Sequence, residues 1–250
     1  IRRLAAESET RRRRAGSFAV EILGKRLLSC PTAFAESWWR CREGLTEGTV
    51  ANEADVIAAK RNVERETGDD RETQSREATA ASVVGAWLKA VATDLQNEIA
   101  AIDAAVSGMG FDLSQNNLDM QNPAADARFD ALTDLIKKLL RPEKIWRDDE
   151  RLVVFTEYKT TLDYLARRLR ERYEPDRILT LFGGMDEQER DLVKQAFNDP
   201  KHQVRILLAT DAAAEGLNLQ WTARYLLHFD CPWNPSRLEQ RNGRVDRHGQ

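Results

Sequence analysis

Four short apolar runs, separated by two amphipathic stretches and a loop, constrain the fold more than any other feature of the sequence. They are Leu152-Val153-Val154-Phe155, Ile178-Leu179-Thr180-Leu181, Val204 to Ala209, and Tyr225 to Phe229. Lys159 to Tyr173 fills the first gap, with Leu162, Leu165 and Leu169 on one face. Asp186 to Asn198 fills the second, carrying Leu192, Val193, Ala196 and Phe197. A loop joins the third run to the fourth, and Pro235 opens a last helix through Leu238 toward Val245. Apolar runs of this length bounded by turn residues read as strands. Strands alternating with helices predict an α/β fold, a parallel sheet with helices on both faces. Such sheets bind ligands beyond the carboxyl ends of their strands, so the loops after Phe155, Leu181, Ala209 and Phe229 are where chemistry is expected.

The preceding half has a different period. Residues 1–125 read as helix almost throughout. Phe18, Ile22, Leu23, Leu27 and Leu28 are expected on one helical face, stopped before Pro31; Pro31 suits the first turn of a second helix carrying Phe34, Trp38 and Trp39. Glu53 to Arg76 is mostly charged, with a break expected at Gly68-Asp69-Asp70. Val84, Trp87, Val91, Leu95, Ile99, Ile102 and Val106, in steps of three and four, predict one long amphipathic helix. The tryptophans and this stripe read as core packing. A glycine- and asparagine-rich loop, Ser107 to Asn122, ends at Pro123. The expected organisation is therefore an all-helical region over 1–122 and an α/β lobe over 123–250.

Composition narrows the class. With 250 residues, 42% hydrophobic and 32% charged, the chain fits a soluble globular protein of one or two domains. The net charge of -3 gives no general attraction to nucleic acid, so any such contact must be local. Residues 1–48 sum to about +4, mostly from Arg11 to Arg14, a run without interleaved aromatics that fits a solvated helix end better than a nucleic-acid patch. Ala78 to Ala92 is too short and too interrupted for a membrane span, and no membrane partner is expected. Cys30, Cys41 and Cys231 have neither metal-ligand spacing nor an even count, so a reduced, cytoplasmic setting and no metal ligands are expected.

Each loop taken alone is weak evidence. Gly183-Gly184 ahead of a helix can bring bare amides to an anion, but Gly-Gly is more often an ordinary turn. Thr210 to Leu219 is a small-residue loop with hydroxyl and carboxylate groups at its mouth. Arg244 and Arg247, three apart, suit a triphosphate; they equally suit a helix end salt-bridged to Glu239 and Asp246.

Together the loops are specific. Thr210 to Leu219 matches a threonine, then small residues, then G-x-N-L; Asp230, Trp233, Asn234 and Pro235 match D-x-x-W-N-P; Gln240, Arg244, Arg247, Gly249 and Gln250 match Q-x-x-x-R-x-x-R-x-G-Q. In order, the four loops resemble motifs IV, V and VI of superfamily-two helicases, and most closely the Swi/Snf-type DNA translocases, over about residues 128–250. The wording V-V-F-T-E-Y, G-G-M-D-E-x-E-R and E-G-L-N-L-Q resembles a bacterial branch that includes RNA-polymerase-associated remodellers and the helicase subunits of DISARM antiphage systems. Lys25 to Phe34 is similar to that branch's helical spacer.

The resemblance implies a RecA-like lobe with arginine fingers, Arg244 and Arg247, that reach the γ-phosphate of ATP held by an N-terminal RecA-like lobe. It implies that Gln240 places them, and that Glu215, Gly216 and Asn218 lie near the nucleotide. Thr156, Gly183, Gly184 and Thr210 would touch backbone phosphates of double-stranded DNA, and Trp233, on the same DNA-binding side, would pack beside the Thr210 to Leu219 loop rather than stack on a base. Other subunits of a defence or transcription complex are implied partners, in the bacterial cytoplasm. The sequence departs from the full pattern: it contains no G-x-x-x-x-G-K-[ST], and Asp148-Asp149-Glu150 precedes its strand rather than following it. The half that binds ATP phosphates and Mg2+ is therefore expected elsewhere in a longer chain, and this piece alone is expected to be inactive. The alternative is a non-catalytic nucleic-acid-binding or protein-interaction module with a helicase-like fold.

Overall fold

The computed structural model describes residues 10–214, 219, 222–232 and 234–244, without the side chains of 10–12 and 214. The chain divides into two units, one of residues 1–67 and 72–125, the other of residues 68–71 and 126–250.

The first unit is helical. Its helices are α1 (Thr10–Ser29), α2 (Pro31–Thr46), α3 (Glu53–Glu64), α4 (Asp70–Leu88, whose first two residues count with the second unit) and α5 (Gln96–Gly108). Cys30 ends the first helix and caps the second: its sulfur accepts from the Ala33 amide at 3.3 Å, and Pro31 takes N1, where no amide is needed. Asn52 and Asp55 form a capping box on α3. Trp38, Cys41, Val56, Val84 and Trp87 share the core, and the Trp38 indole donates to Asp103 at 2.8 Å.

Two expectations are corrected here. The stripe from Val84 to Val106 is not one helix: a 3-10 segment, Lys89–Leu95, interrupts it, with Val91 at φ -125° and ψ 15°. The Lys89 ammonium donates to the carbonyls of Thr46 and Gly48 at 3.1 Å each, at the end of α2. The apolar period survives because a 3-10 turn also returns every third residue to one face. Phe18, Ile22 and Leu23 are buried as expected, but Leu27 and Leu28 are 48% and 57% exposed.

Two glycines permit the crossing of α2 and α4. A Cβ on Gly85 would stand 1.8 Å from the Cys41 carbonyl oxygen, and one on Gly44 2.0 Å from that of Ser82. Gly→Ala inside a helix ordinarily stabilises by about 1 kcal/mol. At position 85 the sign reverses, because the helices must move apart. Gly85→Ala is expected to lose about 3 kcal/mol in denaturant unfolding; an unchanged midpoint would contradict the close crossing.

The second unit is the α/β lobe. After α6 (Ala127–Leu139) come β1 (Leu152–Thr156), α7 (Lys159–Arg172), β2 (Ile178–Leu181), α8 (Glu187–Asn198), β3 (Ile206–Thr210), the single turn α9 (Asp211–Ala214), β4 (Tyr225–His228) and α10 (Pro235–Gly243). The strands form one parallel sheet in the order β2-β3-β1-β4. Alternate residues define its faces. Val153, Phe155, Leu181, Leu207 and Ala209 pack with Phe197 of α8; Leu152, Val154, Ile206 and Leu208 point the other way and are equally buried. Leu192 of α8 is 65% exposed. Asp126 begins the lobe: it accepts the amides of Arg128 and Phe129, and its second oxygen accepts the buried Tyr164 hydroxyl at 2.6 Å. Glu150, ahead of β1, holds Arg224 at 2.9 Å.

Candidate nucleic-acid interface

The chain leaves β1 for β2 and β3 on one side and crosses to β4 on the other, so the switch point of the sheet lies at the carboxyl ends of β1 and β3. Thr156 and Thr210 are register partners there. This edge is where a parallel sheet opens a crevice for a ligand.

The edge is braced by a residue absent from the sequence-level candidates, Arg241 of α10. Only 1% exposed, it gives Nε and Nη2 to the two oxygens of Asp211 at 2.5 and 2.9 Å, and Nη1 to the Asp230 carbonyl at 2.9 Å. His228 Nε2 lies 3.1 Å from Asn242 Oδ1, and its Nδ1 lies 3.4 Å from Arg241 Nη1. These contacts assign the proton to Nε2 and leave Nδ1 to accept. Burial, and secondarily Arg241, hold the His228 pKa below its usual value, against the Asn242 hydrogen bond. The sequence carries no local signal for Arg241: Asp211 and Asp230 lie 30 and 11 residues from it, and its role depends on where they fold.

Asp230 carries the brace to β1. Its carboxylate accepts the Thr156 hydroxyl at 2.6 Å and the Glu157 amide at 2.8 Å. Thr156 is fully buried. Its hydroxyl proton is given to Asp230. Arg244 closes α10; its carbonyl accepts the Leu219 amide at 3.1 Å, tying the loop after β3 to the helix end. Its Nε is buried without a hydrogen-bond partner. Gln240 is exposed. Glu215, Gly216, Asn218, Trp233 and Arg247 lie outside the described residues.

Gly183, Gly184 and Thr210 come together at the ends of β2 and β3. The Gly183 amide and the Thr210 hydroxyl both donate, at 2.5 Å each, to one oxygen, Oδ2 of Asp70. The Asp70 amide returns a bond to the Gly183 carbonyl at 3.1 Å. Gly184 has φ +82°, a conformation that excludes side chains. A Cβ on Gly183 would meet the Gly68 carbonyl at 2.3 Å, and one on Gly184 the Asp69 carboxylate at 2.4 Å. Lys159 and Arg71 lie over the Phe182 ring at 4.4 and 5.3 Å. Asp70 is buried. Desolvation is the largest influence on it, and repulsion from Asp211 adds to that; Thr210, Gly183 and Lys159 oppose them, and the net pKa is raised. Among the described residues no group of three His, Cys, Asp or Glu could hold a metal ion, and no helix is long and apolar enough to cross a membrane.

Residues 128–249 match the family described as the helicase conserved C-terminal domain. That stretch is a helicase C-terminal domain. The chain is 36% identical over 119 residues to an uncharacterized ATP-dependent helicase, YqhH, of Bacillus subtilis (strain 168), covering 48% of this chain and 19% of that protein. It is 39% identical over 112 residues to the RNA polymerase-associated protein RapA of Vibrio campbellii, covering 45% of this chain and 11% of that one. The chain thus spans less than a fifth of these relatives. The crystal structure of the C-terminal part of the Fun30 ATPase domain aligns over 84% of this chain and 63% of its own, at 18% identity and a TM-score of 0.43, too loose to carry a functional argument. Within residues 128–249, Gly183 and Thr210 meet Asp70, and Asp211 and Asp230 meet Arg241.

Two outcomes follow from this geometry. Arg241→Ala leaves Asp211 and Asp230 without their cation and is expected to cost about 3–5 kcal/mol in thermal or chemical unfolding; Arg241→Lys recovers little, because an ammonium cannot span both Asp211 oxygens. A loss under about 1 kcal/mol would make the brace a surface pair. Because the folded chain holds the Asp70 proton more tightly than the unfolded chain, that group's stabilisation is full below about pH 4 and is lost as pH rises through the raised pKa. Melting temperatures of Asp70→Asn relative to the parent should therefore shift in the variant's favour between pH 4 and 7; a pH-independent difference would contradict the burial of this carboxylate.

Proposed function

We propose that this chain is the second RecA-like lobe, with its helical spacer over 1–122, of an ATP-driven motor that tracks along double-stranded DNA. The observation that carries the reading is the convergence of the Gly183 amide and the Thr210 hydroxyl on a single anionic oxygen at the carboxyl edge of the sheet. Two fixed donors aimed at one anion are what a backbone phosphate requires, and the contact carries no base sequence information. Gly184 keeps that approach open. Thr156 acts indirectly, by holding Asp230, and Trp233 belongs beside the same groove.

ATP is the expected fuel, as the name of the Bacillus relative states for that protein. On this chain Arg244 is the residue suited to meet it, since a buried guanidinium nitrogen without a partner favours an incoming anion. Arg247 is its companion finger, Gln240 positions the pair, and Glu215, Gly216 and Asn218 line the nucleotide side. ATP supplies the phosphoryl chemistry. Mg2+ is assigned to the N-terminal lobe. Closure of the two lobes would bring the fingers to the γ-phosphate, and opening would release them, so hydrolysis alternates the grip on the strand. The motor would work in the bacterial cytoplasm, within an RNA-polymerase-associated or antiphage complex of the DISARM kind.

In the full-length motor, Arg244→Ala and Arg247→Ala are each expected to reduce DNA-stimulated hydrolysis about a thousandfold while leaving ATP binding nearly intact, because a finger meets charge that develops mainly in the transition state. Phosphate release and nucleotide binding, measured on the same variants with their melting temperatures, check this. Unchanged turnover in a folded variant would overturn the finger assignment. Binding of mixed-sequence duplexes should weaken with salt and show no sequence preference; a strong preference in competition would contradict backbone tracking.

A further inference from the structure

The acidic turn into α4, Gly68-Asp69 with the first helical residues Asp70-Arg71, is not part of any motif that the helicase reading uses, yet it belongs to the second unit and lies on the Gly183–Thr210 donors. We propose that this turn is a built-in phosphate mimic: the Asp70 carboxylate occupies the seat meant for a nucleic-acid backbone phosphate, so docking of the turn and binding of a strand exclude one another.

Three observations converge on this. Asp70 Oδ2 receives both donors of the seat, and a phosphate oxygen would need the same two. The Gly68 carbonyl and the Asp69 carboxylate lie where a Cβ on Gly183 or Gly184 would stand, so the turn also fills the approach path that the paired glycines keep clear. The Asp70 amide bonds the Gly183 carbonyl, which makes the contact reciprocal and gives the turn one register on the seat. The turn also presents Asp69 and Asp70 side by side, as successive phosphates would present two anions.

The occupancy is also reversible in energetic terms. A carboxylate held by an amide and a hydroxyl gains two charge-assisted bonds, but its burial and the nearby Asp211 oppose them. A phosphate offers more acceptor oxygens and remains partly solvated, so it can displace the carboxylate from the same donors. The consequence is a threshold: the lobe holds DNA only when the strand outcompetes the turn, which limits idle engagement.

This inference rests on the nucleic-acid reading of the edge, and the test separates the two. The first measurement uses the unaltered chain. Hydrogen exchange of the Asp70 amide, bonded to Gly183, is followed with and without saturating mixed-sequence duplex DNA. Faster exchange on binding is expected; unchanged or slower exchange with bound DNA would overturn the proposal. The second uses Asp70→Asn and Asp70→Ala, the former keeping the shape of the turn. Each is expected to bind labelled duplex about tenfold more tightly than the parent; equal or weaker binding by folded Asp70→Asn would overturn it. The third uses inorganic phosphate as the probe, with the Gly183 amide resonance as readout. A response in Asp70→Asn and none in the parent supports an occupied seat even if neither protein binds DNA, in which case only the nucleic-acid reading fails. Equal responses in both would overturn the mimic.

Discussion

The buried guanidinium of Arg241 is the interaction on which the edge of the α/β lobe depends. Four loops leave the sheet at that edge and nothing in a parallel sheet holds them together, since its hydrogen bonds end with the strands. Arg241 joins two of them by gripping Asp211 after β3 and the Asp230 carbonyl after β4, and Asp230 extends the connection to Thr156 and Glu157 after β1. A planar fork with five donors can do this from inside the protein where a lysine could not. The cost of burying the charge is offset only because nearly every donor finds an acceptor.

Fixing these loops fixes the seat. Thr210 is the last residue of β3 and Asp211 is the residue Arg241 holds, so the hydroxyl that faces an anion is one peptide away from the brace. Gly183 supplies the other donor from β2, the strand that neighbours β3. The Arg244 end of α10 is tied to the loop after β3 through the Leu219 amide and Arg244 carbonyl. The groups proposed to face the strand and the nucleotide are therefore joined through few bonds.

Much of this was legible in the sequence, because the α/β half is built from strong local patterns. The four apolar runs became β1 to β4 in the expected order, and the stretches Lys159 to Tyr173 and Asp186 to Asn198 became helices within a residue of their expected ends. Continuous apolar runs bounded by turn residues mark strands buried on both faces, and the 3.6-residue period marks the helices between them. What escaped depends on tertiary placement. Arg241 reads as one more arginine in a basic helix until Asp211 and Asp230 are seen beside it. The contact of the Thr156 hydroxyl with Asp230 spans 74 residues and has no local signature. Asp70 lies more than a hundred residues from Gly183 and Thr210, and no local pattern connects them. The 3-10 break at Lys89–Leu95 keeps the apolar period and so leaves no trace in it.

The central claim is that one edge of the sheet, the carboxyl ends of the strands, is the face that meets a nucleic-acid backbone. Hydrogen-exchange mapping of the whole chain with and without a mixed-sequence duplex tests it most directly. The account predicts slowed exchange at residues 182–185 and 210–213, with no change at the opposite edge around 175–177 and 203–205. Slowed exchange confined to that opposite edge, or to the helical region, would contradict it.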